Sequence, residues 1–284
     1  MRFPKPVLFI SVFIVLLNFT SCSLTQLAYN YGDFLLLRQI DRYFQVDSQQ
    51  KAFLKQQLKQ FLAWHRQAEL PLYAKLLSEL KTKAQDGVTQ EELEWAFAQF
   101  EARRRESFLY LLPKAAAFFT TLQPQQLDYF EKEFVKAVPP EQPALSDFDR
   151  QRRLEERAQK TIDKMEDWFG RLTDGQIFRI QNLSFALPDV KQEWIDYRET
   201  RRREFVTFLR QNPSAEEIIA YLKPWLIHPR EAYLPQYQAK FLEMEVAVKT
   251  MILQIDKFIT ASQRKKALKR LSGYIKDFKK LSRQ

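Results

Sequence analysis

A chain of 284 residues in which 45% are hydrophobic and 24 are Phe can bury a sizeable core, which excludes a disordered polymer. Only five glycines, with little alternation of Val, Ile and Thr, exclude a sheet-rich fold, because strands need turn residues at short intervals. The formal net charge of +10 is unevenly spread: from Asp256 onward ten Lys and Arg stand against two Asp, and the body before it is balanced.

The chain opens with Arg2 and Lys5, then an apolar run from Pro6 to Leu17, then Thr20 and Ser21 just before Cys22, the only cysteine. That order of charge, apolar run and small residues is a secretory signal peptide. A cysteine at its exit resembles the lipobox of bacterial lipoproteins, whose thiol is diacylated and becomes the new N-terminus. Phe19 stands where that motif usually carries Leu. The rival reading is an uncleaved anchor, which needs roughly 20 mostly apolar residues. No charge appears between Lys5 and Asp33, which keeps that alternative open, but the solid run is about a dozen residues and Asn18, Thr20, Ser21, Ser23, Thr25 and Gln26 then dilute it. The lipobox reading makes Cys22 the expected lipidation site and residues 1–21 the signal peptide. Ser23 follows the cysteine where an Asp would resemble inner-membrane retention, so the expected location is the periplasmic face of the outer membrane. With no second cysteine, stability in an oxidising compartment has to come from packing.

A first helix is expected from Thr25 to Phe44, with Leu27, Phe34, Leu35, Leu37 and Ile40 apolar at helical spacing. Asp47 and Gln50 form a capping-box pattern, in which the cap side chain and the residue three positions on satisfy each other's backbone N–H. The helix they open carries Phe53, Leu54, Leu58, Phe61, Leu62 and Trp64, breaks near Pro71 and ends at Gly87. Thr89 and Glu92 repeat the cap before Trp95, Phe97 and Phe100. Gln123-Pro124-Gln125-Gln126 repeats the joint, with Pro124 at a first helical position that needs no N–H. Pro139, Pro140 and Pro143 make the strongest break in the chain. Beyond it Ser146 caps a long charged helix ending at Trp168-Phe169-Gly170, and Thr173 and Gln176 repeat the joint. Pro188 interrupts, Trp194–Arg210 is helical, Ser214 with Glu217 opens another helix, and Pro224–Pro235 is irregular. A long helix runs from about Gln236 to Phe258, and Ser262 with Lys265 echoes the joint once more. Trp64, Trp95, Trp168, Phe169 and Trp194 sit on apolar faces or at joints and are expected to be largely buried.

The fold class is thus all-α, an elongated or bundled multi-helix body. Capping residues fall at 47, 89 and 123, then at 173, 214 and 262, and Glu101–Glu106 resembles Glu199–Glu204. The repetition suggests two related helical halves, residues 22–138 and 146–284, joined by a Pro-rich linker at 139–145. The plainer reading is that any helical protein reuses capping boxes, and the periods match no solenoid consensus.

Several phrases together resemble an uncharacterised family of proteobacterial envelope lipoproteins. They are Leu27-Ala28-Tyr29-Asn30 after the cysteine, Asp41-Arg42-Tyr43-Phe44, Trp64-His65-Arg66 with Glu69-Leu70-Pro71, and Glu166-Asp167-Trp168-Phe169-Gly170-Arg171-Leu172 with Gln176. The resemblance covers most of residues 22–210. It implies a helical lipoprotein and brings no catalytic or ligand residues.

The residues themselves offer little chemistry. His65 and His228 have no cysteine or His-x-x-x-His partner, so no metal site is expected. No serine elbow and no glycine-rich phosphate loop is present, so neither a catalytic residue nor a cofactor is assigned. Two acids, Glu69 and Glu166, are flanked by aromatics that could raise their pKa, as a cell-wall glycan hydrolase would require. The simpler reading pairs them with arginines, such as Arg66 with Glu69. The triple arginines at 103–105 and 201–203 would suggest nucleic acid in a cytoplasmic protein, but export removes that partner, and the flanking glutamates offset their charge. Solvated or salt-bridged helix faces are expected there, with buried clamps between helices as the alternative.

The tail carries the one directional signal. On a helix from Arg264 to Arg283, Ala267, Leu268, Leu271, Tyr274, Ile275, Phe278 and Leu281 share an arc of about 140°. Lys265, Lys266, Lys269, Arg270, Lys276, Lys279, Lys280 and Arg283 fill most of the other side. The expected function is a lipid-anchored binding or scaffolding module whose cationic face meets anionic lipid or wall polymer. The alternative is a cell-wall glycan-acting enzyme using a single buried glutamate.

Overall fold

A computed structural model describes residues 26, 29–137 and 147–284 of the chain; the leader, Cys22, Ser146 and the proline-rich break lie outside them. Of the described residues 83% are helical, and there are no strands among them. In chain order the helices are α1 Gly32–Phe44, α2 Ser48–Trp64, a π-helical turn His65–Glu69, α3 Leu70–Lys83, α4 Gln90–Phe119 and α5 Pro124–Ala137. After the break come α6 Asp147–Phe169, α7 Asp174–Phe185, α8 Lys191–Leu209, α9 Ala215–Ile227, α10 Pro235–Asp256 and α11 Ala261–Leu281. None of the described helices is long and apolar enough to cross a membrane.

Two clusters are built within one side of the break each, and two span it. Leu37, Tyr43 and Phe44 of α1 pack with Leu54 and Leu58 of α2 and Phe118 of α4. Ile162, Leu172, Ile180 and Ile255 do the same for α6, the joint after it, α7 and α10. Across the break, α11 brings Leu271, Tyr274, Phe278 and Leu281 onto Leu70, Tyr73 and Leu77 of α3. In mirrored fashion Leu127 of α5 meets Val206 and Leu209 of α8, together with Ile218 and Leu222 of α9 and Leu112 and Ala116 of α4. The last helix on each side therefore docks on the third helix of the other, so the two stretches share their cores.

The joints explain the turns between helices. Capping boxes close at Asp47–Gln50, Thr89–Glu92, Thr173–Gln176, Ser214–Glu217 and Thr260–Gln263. The last is a correction: the cap is Thr260 rather than Ser262, because it is Thr260 that has a side-chain amide three residues on. Gly87 and Gly170 precede two of these caps at φ +137° and +76°, a backbone region that L side chains avoid. A Cβ on Gly170 would also run into the Lys266 side chain.

Four glutamines do more than cap. Gln50 and Gln126 exchange amide hydrogen bonds at 2.9 and 2.7 Å, and each donates to the other's joint, at Thr121 and Phe44 carbonyls. Gln176 and Gln263 repeat the arrangement at 2.8 and 2.9 Å, with the carbonyls of Phe258 and Arg171 as the further acceptors. Replacing Gln176 by Leu removes both bonds that Gln263 makes across the pair and leaves the Thr173 N–H and the Phe258 carbonyl without their glutamine partner, and should cost about 2–4 kcal/mol. Because Gln263 shares those bonds, the Gln176→Leu/Gln263→Leu double variant should cost clearly less than the sum of the singles in urea unfolding. Strict additivity would mean that the two joints are not coupled.

Several expectations need correction. The interruption before α3 is the π-turn, where the Leu70 N–H reaches back to the His65 carbonyl; Pro71 lies inside α3 rather than breaking it. The widened turn absorbs the carbonyl that a proline cannot serve. Pro224 likewise lies inside α9, and the irregular stretch is 228–234. Trp64, Trp95, Trp168, Phe169 and Trp194 are each half-buried, since the apolar residues are divided among several small cores and Trp95, Trp168 and Phe169 sit at the edges of two of them. Phe34 and Leu35, expected on the packed face of α1, are exposed.

Candidate functional site

The most unusual local structure is the π-turn. One extra residue in the helix turns both His65 and Glu69 inward, where both are buried. His65 meets the Tyr29 hydroxyl through Nδ1 at 2.7 Å and lies against the Phe61, Trp64 and Tyr73 rings. Glu69 receives the Arg103 guanidinium of α4 at 3.4 Å through Oε1, while its Oε2 has no hydrogen-bond partner among the described residues. Tyr73, one turn on, is enclosed between His65, Phe100 and Phe278.

Burial dominates the electrostatics here. Loss of water pushes His65 down to about 4, so the ring is neutral at pH 7. It raises Tyr29 and Tyr73 well above the usual phenol range, so both hydroxyls stay protonated. Burial also raises the Glu69 carboxyl above its ordinary value, with Arg103 pulling it back down. An acid held this way is destabilised in its ionised form. Stability is full below the ordinary carboxylate pKa and falls as the pH rises above it. Glu69→Gln should therefore raise the melting temperature at pH 7 and gain much less at pH 4. The opposite pH trend would show that the Arg103 pair governs.

The segment just after the leader docks on this cluster. Gln26 donates to Asp277 of α11 at 2.7 Å, Tyr29 holds His65, and Asn30 receives Arg66 at 3.0 Å, with the Arg66 guanidinium over the Tyr29 ring. Asp277 is buried and its second oxygen is unpartnered among the described residues. Two of the sequence phrases, Tyr29-Asn30 and Trp64-His65-Arg66 with Glu69, thus meet in space. Sequence reading missed Gln26, Tyr73 and Asp277 and did not pair Arg103 with Glu69, because residues remote in sequence, from the N-terminal segment, α4 and α11, complete the cluster.

The other sequence candidates are scattered. Glu69 pairs with Arg103, not with Arg66. Glu166 is exposed and accepts the Leu172 N–H, so no aromatic shell desolvates it. His228 is exposed near Glu231 and far in sequence from His65. No group of three His, Cys, Asp or Glu is placed to hold a metal ion among the described residues. The arginine runs act mostly as clamps. Arg104 holds Glu101 and the Leu226 carbonyl, and Arg201 holds the Ala232 carbonyl between the Tyr197 and Trp225 rings. The buried Arg202 pairs with Glu199 and Glu131 of α5. Only Arg105 and Arg203 of the six are exposed.

An open groove of about 560 Å³ lies along α8 and α9, lined by Arg203, Glu204, Phe208, Tyr221 and Trp225. Its aromatic residues are already packed on one another: the Tyr221 ring stacks on Phe208 and also lies against Phe205 and Trp225. Its carboxylate, Glu204, is exposed and ion-paired to Arg201. Glu69 does not line this groove.

On α11 the apolar arc is packed as its spacing requires, and Lys265, Lys266, Lys269, Lys276, Lys279, Lys280 and Arg283 are exposed. Arg270 departs from the set: it is half-buried, donates to the Asp167 carbonyl and covers the Trp168 ring.

Fold and site together describe an all-helical body with a buried polar cluster at its N-terminal segment and a cationic C-terminal helix. The chain belongs to a family of unknown function, DUF6279, whose sequence profile matches residues 42–238. No curated protein and no solved structure matches the chain. Both flanks of the matched stretch, the segment around Tyr29 and helix α11, meet each other on the body through Gln26 and Asp277.

Proposed function

We propose that this protein is a lipid-anchored envelope lipoprotein of the proteobacterial type, acylated at Cys22 and facing the periplasm from the outer membrane. It binds or scaffolds and does not catalyse. The observation that carries the reading is the absence of a spacer: the chain leaves Cys22 and is gripped four residues later by Gln26 on Asp277. Tyr29 and Asn30 then lock onto His65 and Arg66. A body fastened so soon after its acylated residue stays close to the membrane. The exposed lysines of α11 are then available to phospholipid headgroups or other anionic envelope polymers.

The enzyme alternative is weakened by the surroundings of the two acids. A general acid has to reach its substrate, whereas Glu69 is 4% exposed and Glu166 stands in open solvent away from the groove. The twin glutamine pairs and the mirrored docking of α5 and α11 support a duplication of one helical unit, in which α1–α5 correspond to α6–α11. The arginine runs are not equivalent in that scheme, since one lies in α4 and the other in α8.

Metabolic labelling with an alkyne fatty acid tests the anchor. Label should enter the wild-type chain and be absent from Cys22→Ala, which should also accumulate with its leader uncleaved at this site. Label retained by the variant would overturn the lipoprotein reading.

A further inference from the structure

The start of α1 is the most exposed apolar surface next to the tether. Tyr31, Phe34 and Leu35 are 57%, 59% and 50% exposed, and they recur at a helical spacing that places them on one face. Arg38 and Arg42 continue that stripe and are also exposed. Apolar side chains followed by arginines along one face are what an interfacial helix presents: the rings and leucine enter the headgroup boundary and the guanidiniums stay at phosphate level. Opposite faces of the same helix are committed, with Leu37, Tyr43 and Phe44 in the core.

We propose that this face of α1 is a membrane-contact surface that lies in the interface of a phospholipid bilayer. Three observations favour a bilayer over a second copy or a protein partner. The chain outside the described residues ends at the site: the apolar run Pro6–Leu17 and Cys22 precede Tyr31, and Cys22 is nine residues away from it. From Cys22 to Gln26 the chain can span at most about 14 Å even when fully extended, and Gln26 is fixed to α11. The charge that follows the apolar residues is positive, which complements lipid phosphate. The proposal rests on the tethered reading for its setting, but the surface itself is a property of the body without lipid.

The test uses the body from Ser23 onward, which contains every residue of the four cores and no cysteine. A Phe34→Cys variant carrying an environment-sensitive fluorophore should shift to the blue on adding phosphatidylcholine vesicles, and a lipid-embedded quencher should dim it. The same label at Glu216, exposed on α9, should respond to neither. Tyr31→Ser/Phe34→Ser/Leu35→Ser should partition onto those vesicles at least tenfold more weakly, with an unchanged circular dichroism spectrum and melting temperature. Partitioning equal to the unsubstituted body would overturn the proposal. So would a shift at position 34 that needs no lipid and grows with protein concentration, since that makes the occupant a second copy. Failure here leaves the acylation of Cys22 untouched, because labelling of the full chain scores that separately.

Discussion

Between pH 7.5 and pH 5 the protein should lose about 2 kcal/mol of stability through His65 alone. In the unfolded chain this imidazole takes up its proton near pH 6.5, but burial in the folded chain holds it down to about 4. At pH 5 the unfolded state therefore binds the proton and the folded state does not, and the difference integrates to about 2 kcal/mol. The sign is fixed: stability is full above 6.5 and declines as the pH falls toward 4. The groups facing the ring do not rescue its cation. Tyr29 and Tyr73 are neutral phenols, Phe61 and Trp64 are apolar, and Arg66 over Tyr29 is a like charge. Urea unfolding followed by tryptophan fluorescence measures this directly, and pH 5 keeps most carboxylates ionised. His65→Gln, which is less stable at pH 7.5 for want of the ring, should lack this component and show a flatter profile. Parallel profiles would mean that His65 is hydrated and that the cluster opens.

Removing α11 at Ala261 should unfold the protein rather than merely strip its charge. Leu271, Tyr274, Phe278 and Leu281 form one wall of the cluster on α3, and Leu281 is fully buried. Truncating a single buried large side chain costs about 2–5 kcal/mol, and a domain has only about 5–15 kcal/mol in all. Loss of four, with Leu70 and Tyr73 left facing water, exceeds that. The prediction is a truncated chain with no cooperative thermal transition and reduced helix signal in circular dichroism. A truncated form that melts cooperatively near the wild-type temperature would contradict the packing of α11. Truncation is for the same reason the wrong way to ask what the cations do. Neutralising exposed lysines one by one leaves the apolar arc in place, and each change should stay within about 0.5 kcal/mol.

What was legible in the sequence was local. Capping boxes are written in four consecutive residues, so helix starts at Ser48, Gln90, Asp174 and Ala215 could be found, as could the apolar arc of α11. The exchange between Gln50 and Gln126 could not, because it joins residues 76 apart and nothing in either joint names the other. The π-turn was hidden for a related reason. Its sequence His65-Arg66-Gln67-Ala68-Glu69 reads as ordinary helix, and only the proline two residues on hints that a carbonyl must be relieved. Glu69 was found as a candidate acid from its aromatic neighbours in sequence, but its partner Arg103 lies on α4, and an i, i+3 rule pointed to Arg66 instead. Phe34 and Leu35 fitted a helical period and were read as packed. Periodicity says that two residues share a face, and only the neighbours decide what that face meets.

The exposed cationic side of α11 is where the proposed binding role is most directly measured. Each Lys or Arg near an anionic bilayer contributes about 1 kcal/mol and fades within a Debye length. The direct measurement is co-sedimentation of the body from Ser23 onward with vesicles containing phosphatidylglycerol, set against the variant in which Lys265, Lys266, Lys269, Lys276, Lys279, Lys280 and Arg283 are all Gln. The account predicts that the unsubstituted body binds these vesicles more tightly than phosphatidylcholine alone, that salt weakens the binding, and that the folded variant loses the preference. Equal binding by body and variant at low salt would contradict it.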